Sequence, residues 1–477
     1  MSPLWRCESL LRILAFLEPS CIEEAIFEEW VLPLPAQDLL GESSEYKSAR
    51  TTLLQASLIE HNEEDNTITV NSLVQTAVKA QLSAEDTANI FWNTVCNLAI
   101  QWPSAREAPS KKTIQSTPPK THSVCEWPKR EMLYHHVLQL KETWENRFKD
   151  ESTTYDIQWA GLLADAAWWR FERGYACKFD DLYGAAVKIC DRSDDPDKEP
   201  LMVDMCLGIA AIAAETNAHP SSRKLKSQAL DLQLKYLDGT KIEDSRLSRC
   251  YVELAIALIQ DREYDNAIPM LWRGVDIKTH LGLFSALAYA NLGLVHIFQG
   301  KYDAAEDILS FALSMQEKSF GKMDSVSFRT GRVLYAYGNL RAAQGRFVES
   351  LTYHQWALKQ FRSTIGDSHH RTADICHKVA EDLIRFECYK DAMSMIDQAL
   401  ETWGLDPGVY QPEIARTTYL KGQLLKVLKE DEEADRLIEK ATAILTATAS
   451  YHGTSGSQAD ALPSSKDFDS LVTFWSR

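Results

Sequence analysis

At 477 residues the chain is too long for one hydrophobic core, and length alone suggests about three domains. An apolar fraction of 45% with 25% charged residues is that of an ordinary globular chain, and no apolar run reaches the roughly eighteen residues needed to cross a bilayer. A net charge of −17 excludes a protein built to grip phosphate backbones, which needs clustered Lys and Arg. The first residues, Met1 to Cys7, lack the charged, apolar and small-residue regions of a secretory leader. Ten cysteines scattered from Cys7 to Cys388 without a CxxC pair read as reduced thiols of a cytoplasmic protein.

Residues 1–84 form the first predicted domain. Glu8–Leu17 carries Leu10, Ile13, Leu14 and Leu17 on one helical face and stops at Pro19. Ser20-Cys21-Ile22-Glu23 has the form of a capping box and predicts a second helix through Trp30. A third helix is expected over Glu45–Ala56. Two β-rich runs, Leu58–His61 and Thr67–Val70, flank the polar turn Asn62-Glu63-Glu64-Asp65-Asn66 and predict one hairpin; Ser72 then starts a helix to Leu82. Helices followed by a hairpin describe a winged helix. Thirteen acidic against five basic residues in this stretch, with Glu63-Glu64-Asp65 at the wing, argue against DNA as its partner.

Residues 85–160 read as a helical connector, amphipathic over Asn89–Trp102 and Trp127–Trp144. Between them lies a flexible Pro-rich loop, 103–122, with Pro103, Pro109, Pro118 and Pro119 among Ser, Thr and Lys.

From Gly161 to Thr448 a ladder of small residues recurs. Within each unit a small residue is followed by a second twelve positions on and a third seven further. The units are Ala167/Phe179/Ala186, Ala210/Ser222/Ala229, Ala255/Ala267/Gly274, Gly293/Ala305/Ala312, Gly338/Ser350/Ala357, Ala380/Ala392/Ala399 and Gly422/Ala434/Ala441. Only Phe179 breaks the pattern. Seven helix pairs follow at spacings of 38 to 45 residues, each small residue allowing two helices to approach closely. An aromatic nine residues after the first small position (Tyr264, Tyr302, Phe347, Tyr389) is expected to open the second helix of a pair and plug the space inside it. Asp431 replaces it in the last unit, in an acidic run suited to a solvent-facing terminal repeat.

This ladder resembles the tetratricopeptide repeat, and its long period resembles the kinesin-light-chain subtype. That subtype's loop, leucine-glycine-x-x-histidine-proline-x-threonine-alanine, is similar to Ile365-Gly366-Asp367-Ser368-His369-His370-Arg371-Thr372-Ala373, with His370 in the proline place. Phe320-Gly321-Lys322-Met323-Asp324-Ser325-Val326 is a weaker version. The resemblance implies an all-α fold, a right-handed superhelix of antiparallel helix pairs over 161–448, whose concave groove binds a peptide or protein.

Residues 1–84 resemble the winged helix that follows the nucleotide-binding domain in fungal NLR-like (NACHT or NB-ARC) repeat proteins. The stretches that carry it are Leu10–Pro19, Ser57-Leu58-Ile59 and Val70-Asn71-Ser72-Leu73-Val74-Gln75, with Asn71-Ser72 where that family has histidine-arginine. No GxxxxGK[ST] occurs in the sequence, so the resemblance implies a separate nucleotide-binding partner for the winged helix.

Catalytic and metal signatures are missing from the sequence: no GxSxG, HExxH or glycine-rich dinucleotide loop. His135-His136 and His369-His370 are adjacent pairs, which diverge on a helix, so no metal, no cofactor and no enzyme activity are expected. The groove is read from positions three before and one after each first small residue. These give Val252 and Ile256, Ala290 and Leu294, Tyr335 and Asn339, His377 and Glu381, Tyr419 and Gln423. Six before lie Arg249, Arg332, Asp374 and Arg416. The expected peptide site is Val252, Ile256, Leu294, Arg332, Tyr335, Asn339, His377 and Glu381, with an apolar anchor over Val252–Leu294 and the ligand backbone held by Asn339. Nucleic acid and membrane are not expected as partners.

Two other readings compete: an enzyme using the channel as a reaction chamber, with His377, Glu381 and Tyr335, and a kinesin-light-chain-like adaptor. Residues 449–477 read as a flexible tail ending in the apolar stretch Phe468–Trp475. It either packs back on the last repeat or binds a partner.

Overall fold

The computed structural model describes residues 3–27, 30, 44–103, 124–150, 153, 156–174, 180–238, 243–322, 324–451 and 463–477. Among them are twenty α-helices and one three-stranded sheet, so the fold is almost entirely helical. Most of the loop 103–122, the ladder position Phe179 and much of the stretch before Lys466 lie outside the described residues. The chain separates into two compact units.

The first unit draws on Met1–Arg106, Cys125–Trp169 and Asp180–Leu201. Its helices are α1 (Pro3–Leu14), α2 (Ser44–Gln55), α3 (Ser72–Gln81), α4 (Ala84–Gln101), α5 (Trp127–Arg147), most of α6 (Asp156–Glu172) and α7 (Asp180–Arg192). The hairpin forms as β2 (Ile59–Asn62) and β3 (Thr67–Val70), paired antiparallel with Ile59 opposite Val70. The expected helix over 20–30 does not form. Ile22–Glu23 is instead β1, placed on the other side of β3 with Ile22 opposite Ile68, and Glu24–Phe27 makes one 3₁₀ turn. The reason is burial: Ile22, Ile26, Phe27, Trp30 and Ile68 are fully inaccessible, and that outweighs a local capping signal. Asn71, not Ser72, caps α3, its Oδ1 accepting the Leu73 N–H at 2.8 Å. Buried Gln75 donates through Nε2 to the carbonyls of Leu14 and Leu17 (2.8 and 2.9 Å), satisfying the C-terminal end of α1. His136 accepts the Glu18 N–H through Nδ1 at 3.1 Å, and burial pushes its ring down to about 3. It is a structural histidine, and the unit closes around aromatic rings, Phe91 touching Phe16, Trp92, Phe148 and Trp159.

The second unit is built from Arg170–Phe179 and Met202–Arg477, with α8 (Lys198–Glu215) entering from the first. Helix hairpins follow one another: α8 with α9 (His219–Asp238), α10 (Ser245–Gln260) with α11 (Tyr264–His280), and α12 (Ala286–Phe298) with α13 (Tyr302–Phe320). Then come α14 (Phe328–Ala343) with α15 (Phe347–Thr364), α16 (His370–Arg385) with α17 (Tyr389–Gly404), and α18 (Gln411–Val427) with α19 (Asp431–Tyr451). A last short helix, α20 (Ser465–Leu471), precedes the final residues.

Every described ladder position is buried. The reason is geometric: a Cβ on Gly293 would sit 2.5 Å from Leu309, and one on Gly338 2.1 Å from the His354 ring. A second periodicity is visible only in the backbone. Seven residues after each first small position the chain takes a left-handed conformation, at Gly174, Asn217, Arg262, Gly300, Gly345, Glu387 and Lys429 (φ between 60° and 83°). The next N–H then bonds back across the turn, as in Glu263 N to Leu258 O (2.8 Å) and Lys301 N to His296 O (2.8 Å), which closes the end of the helix.

The recurring aromatics do open their helices, since Tyr264, Tyr302, Phe347 and Tyr389 are the first residues of α11, α13, α15 and α17. Two of them reach across to the next pair. Tyr264 stacks on Phe298 of the next pair (centroids 5.8 Å), and Arg385 of the next pair lies 5.3 Å over Phe347, which stays 42% exposed.

Candidate functional site

The first helix of each hairpin lines the inner face of the second unit, and this face is occupied by residues 463–477. Polar and apolar groups of the wall reach the segment along its length. Tyr419 Oη donates to the Pro463 carbonyl (2.7 Å), and its ring stacks on fully buried Phe468 (centroids 4.4 Å). Gln260 brackets the backbone, its Oε1 accepting the Phe474 N–H at 2.8 Å and its Nε2 donating to Val472 O at 3.5 Å. Phe474, fully buried, enters the apolar cluster of Val252, Ile256, Ala290 and Leu294 and meets Phe298 edge-on at 6.5 Å. The Arg332 guanidinium lies 5.5 Å over the Trp475 ring. Arg416 Nη1 donates to Ser476 O (2.5 Å), and Asn339 Nδ2 donates to Arg477 O (3.1 Å).

The electrostatics of this wall follow from burial. Arg332 has its pKa pushed down to about 9 by burial, with Arg371 adding repulsion. Burial also opposes the Arg416 charge, but Asp469 and Asp374, each 3.6 Å away, outweigh it and raise its pKa. The Tyr335 hydroxyl is held well above its ordinary value by burial and by Asp374. Asn339 is aimed from behind. Its Oδ1 faces His354 Nε2 at 3.2 Å, and His354 Nδ1 faces Asp382 Oδ2 at 2.6 Å, with both His354 and Asp382 inside the wall. Asn339 is thereby left to present its amide donors to the groove.

Of the eight residues expected in the groove, Val252, Ile256, Leu294, Arg332, Tyr335 and Asn339 converge on this segment or on the cavity beside it. His377 and Glu381 do not. The His377 ring is 1% exposed and turned into the wall, with Nδ1 2.9 Å from Thr417 Oγ1 and Nε2 3.5 Å from Glu381. Burial pushes the ring down to about 4. Burial alone would raise the Glu381 carboxyl, but Lys378 and His377 overcome it and hold it well below the ordinary range. One helical position misjudged by a fraction of a turn separates an inner-face histidine from an interhelical one.

Three polar residues escaped the sequence reading: Gln260, Asn291 and, as a backbone ligand, Arg416. Arg416 stood in the expected row of charges, whereas Gln260 and Asn291 fall outside the small-residue frame and carry no periodic signal. Asn291 is fully buried, and neither amide atom has a hydrogen-bond partner among the described residues. It lines a cavity of about 30 Å³ with Leu294, Arg332, Tyr335 and Asp374, bounded by Trp475.

Comparison with known proteins adds two family matches. Residues 285–324, which hold α12 and α13, match the tetratricopeptide repeat family, and residues 6–87 match a domain of unknown function, DUF7779. Neither description names a catalytic activity. Over 223 residues the chain is 25% identical to Protein KINESIN LIGHT CHAIN-RELATED 1 of Arabidopsis thaliana, a match over 46% of this chain and 35% of that protein. The chain thus spans about a third of the length of that relative. Among solved structures it is similar to a STAND protein with a tetratricopeptide repeat sensor from Pyrococcus horikoshii. That likeness has 13% identity and a TM-score of 0.48, and covers 98% of this chain and 62% of that one. It is also similar to a Rap protein complexed with Competence and Sporulation Factor (12% identity, TM-score 0.48, 74% of this chain and 94% of that one). No helix among the described residues is long and apolar enough to cross a membrane. The second unit is thus a stack of helix hairpins, one of which matches the tetratricopeptide repeat, and the chain is similar in sequence to a kinesin-light-chain-related protein.

Proposed function

We propose that this chain is a non-catalytic, cytoplasmic interaction scaffold whose second unit binds an extended protein segment along the inner face of its repeats. The observation that carries this reading is the seating of residues 463–477. Arg416, Asn339 and Gln260 bond its backbone, while an apolar wall takes its aromatic side chains. Backbone contacts give affinity without fixing sequence, and side-chain pockets supply the selection.

The domain limits 84/85, 160/161 and 448/449, with seven repeats between the last two, belong to the same proposal. So does descent from NLR-like proteins, with residues 1–84 as a winged helix relaying to a separate nucleotide-binding partner. The β2/β3 hairpin after α2 and the tie from Gln75 on α3 to the end of α1 support it. A reaction chamber is disfavoured, because His377 is spent on Thr417 and does not line the cavity that holds Tyr335.

The test is photo-crosslinking in cells of origin, with benzoylphenylalanine replacing Tyr335 in one full-length chain and Val348 (69% exposed, on α15) in another. Adducts to a second protein from the Tyr335 site, with none from the Val348 site, are expected. Adducts from Val348 alone would remove the groove from the reading.

A further inference from the structure

We infer that residues 463–477 are a displaceable resident of the groove. The partner that displaces them is an extended segment with an aromatic side chain in the place of Phe474 and a hydrogen-bonding side chain in the place of Trp475. This rests on the proposed binding role of the groove and specifies its ligand and its regulation.

The resident is well held at one position and poorly matched at the next. Phe474 is enclosed by the apolar cluster, with its N–H bonded to Gln260, so an aromatic group is what this point of the wall accepts. Trp475 is different. It remains partly exposed and bounds the small cavity where Asn291, at 0% exposure, leaves a donor and an acceptor unsatisfied and where Tyr335 leaves its hydroxyl unsatisfied. Buried polar groups are normally paired, and an indole cannot serve as both donor and acceptor to an amide. A glutamine-like side chain entering beside Trp475's position supplies both. Donors from Arg416, Asn339, Gln260 and Tyr419 go to backbone carbonyls of the resident and are available to any segment in the same extended path, while the Arg416–Asp469 pair belongs to the resident's own side chain.

Tethering explains how a mismatched segment holds its place. A segment on the same chain acts at an effective concentration on the order of millimolar, which weakens a competitor by the inverse of the fraction of chains whose groove is free. Loosening the resident therefore opens the groove without altering the wall.

The experiment uses the full chain, wild type and Phe474→Ala/Trp475→Ala, and a fluorescent synthetic peptide with the sequence of residues 463–477. Hydrogen exchange over 463–477 reports release of the resident, and fluorescence anisotropy reports peptide binding. The expected result is faster exchange in the double variant and peptide binding about 10- to 100-fold tighter than to wild type. Equal peptide affinity for both chains, with the resident shown to be released, overturns occlusion while leaving a peptide-binding groove intact. No binding to the released chain overturns the groove reading itself and this inference with it. A second comparison reads the cavity. On the released chain, the peptide carrying W475Q is expected to bind at least about five-fold better than the one carrying W475A, and the difference is expected to vanish in an Asn291→Leu chain. Equal binding of the two peptides removes Asn291 as a reader of the partner.

Discussion

The two units of this chain solve the packing problem in opposite ways. In the first, bulk fills the core: Phe16, Phe27, Trp30, Phe91 and Trp159 are all at or near zero exposure, with Phe16 and Trp159 packed on Phe91 and Phe27 on Trp30. In the second, the tightest contacts are made by what is missing, with glycine, alanine or serine at each helix crossing and the same geometry repeated from pair to pair. A core of unique large pieces is vulnerable to deletion, while one of close backbones is vulnerable to addition.

Three substitutions test that contrast. Trp159→Ala removes a fully buried indole from the first unit and is expected to cost about 3–5 kcal/mol in urea denaturation. A loss below about 1 kcal/mol would mean the ring cluster is not the first unit's core. Gly338→Val adds atoms where even a Cβ would lie 2.1 Å from His354, and a loss of roughly 1–3 kcal/mol is expected. A tolerated valine would break the claim that close approach governs the repeats. The smallest effect concerns the turns. Glu387 holds φ at 60°, so Glu387→Gly is expected to gain up to about 1 kcal/mol, read as a rise of a few degrees in melting midpoint. A fall would show that the Glu387 side chain does more for the turn than its backbone strain takes away.

The same contrast explains what could be read from sequence. A Gly/Ala/Ser ladder is a periodic signal, and periodicity survives without coordinates, so the repeats and the apolar half of the inner face were legible. The first unit offers no repeat, and β1 shows the cost: Ser20 to Glu23 looks like a helix start until Ile68 arrives from over forty residues away to pair with Ile22. The site was legible to the resolution of a helix face. Tyr335 and Asn339 lie beside the 463–477 segment, whereas His377, at the nominal position of Tyr335 one pair later, turns to Thr417 of α18 and to Glu381 of its own helix. The left-handed turns were hidden because three of the seven are occupied by Arg, Glu and Lys, which carry no turn signature. The seating of the C-terminal segment was likewise invisible, since an apolar stretch does not say which surface it will choose.

The chain of Asp382, His354 and Asn339 gives the groove a memory of something it never touches. An asparagine amide can rotate by half a turn at little steric cost, exchanging a donor for an acceptor. The imidazole behind it and the Arg477 carbonyl in front of it distinguish the two orientations here. Loss of the Asp382 carboxylate would leave the lining residues unchanged in identity, yet it would free the His354 ring to take either tautomer, and the one with Nε2 as acceptor would favour Asn339 turning its oxygen to the groove where it now offers nitrogen. A lesion one layer deep would then pass for a defect of recognition.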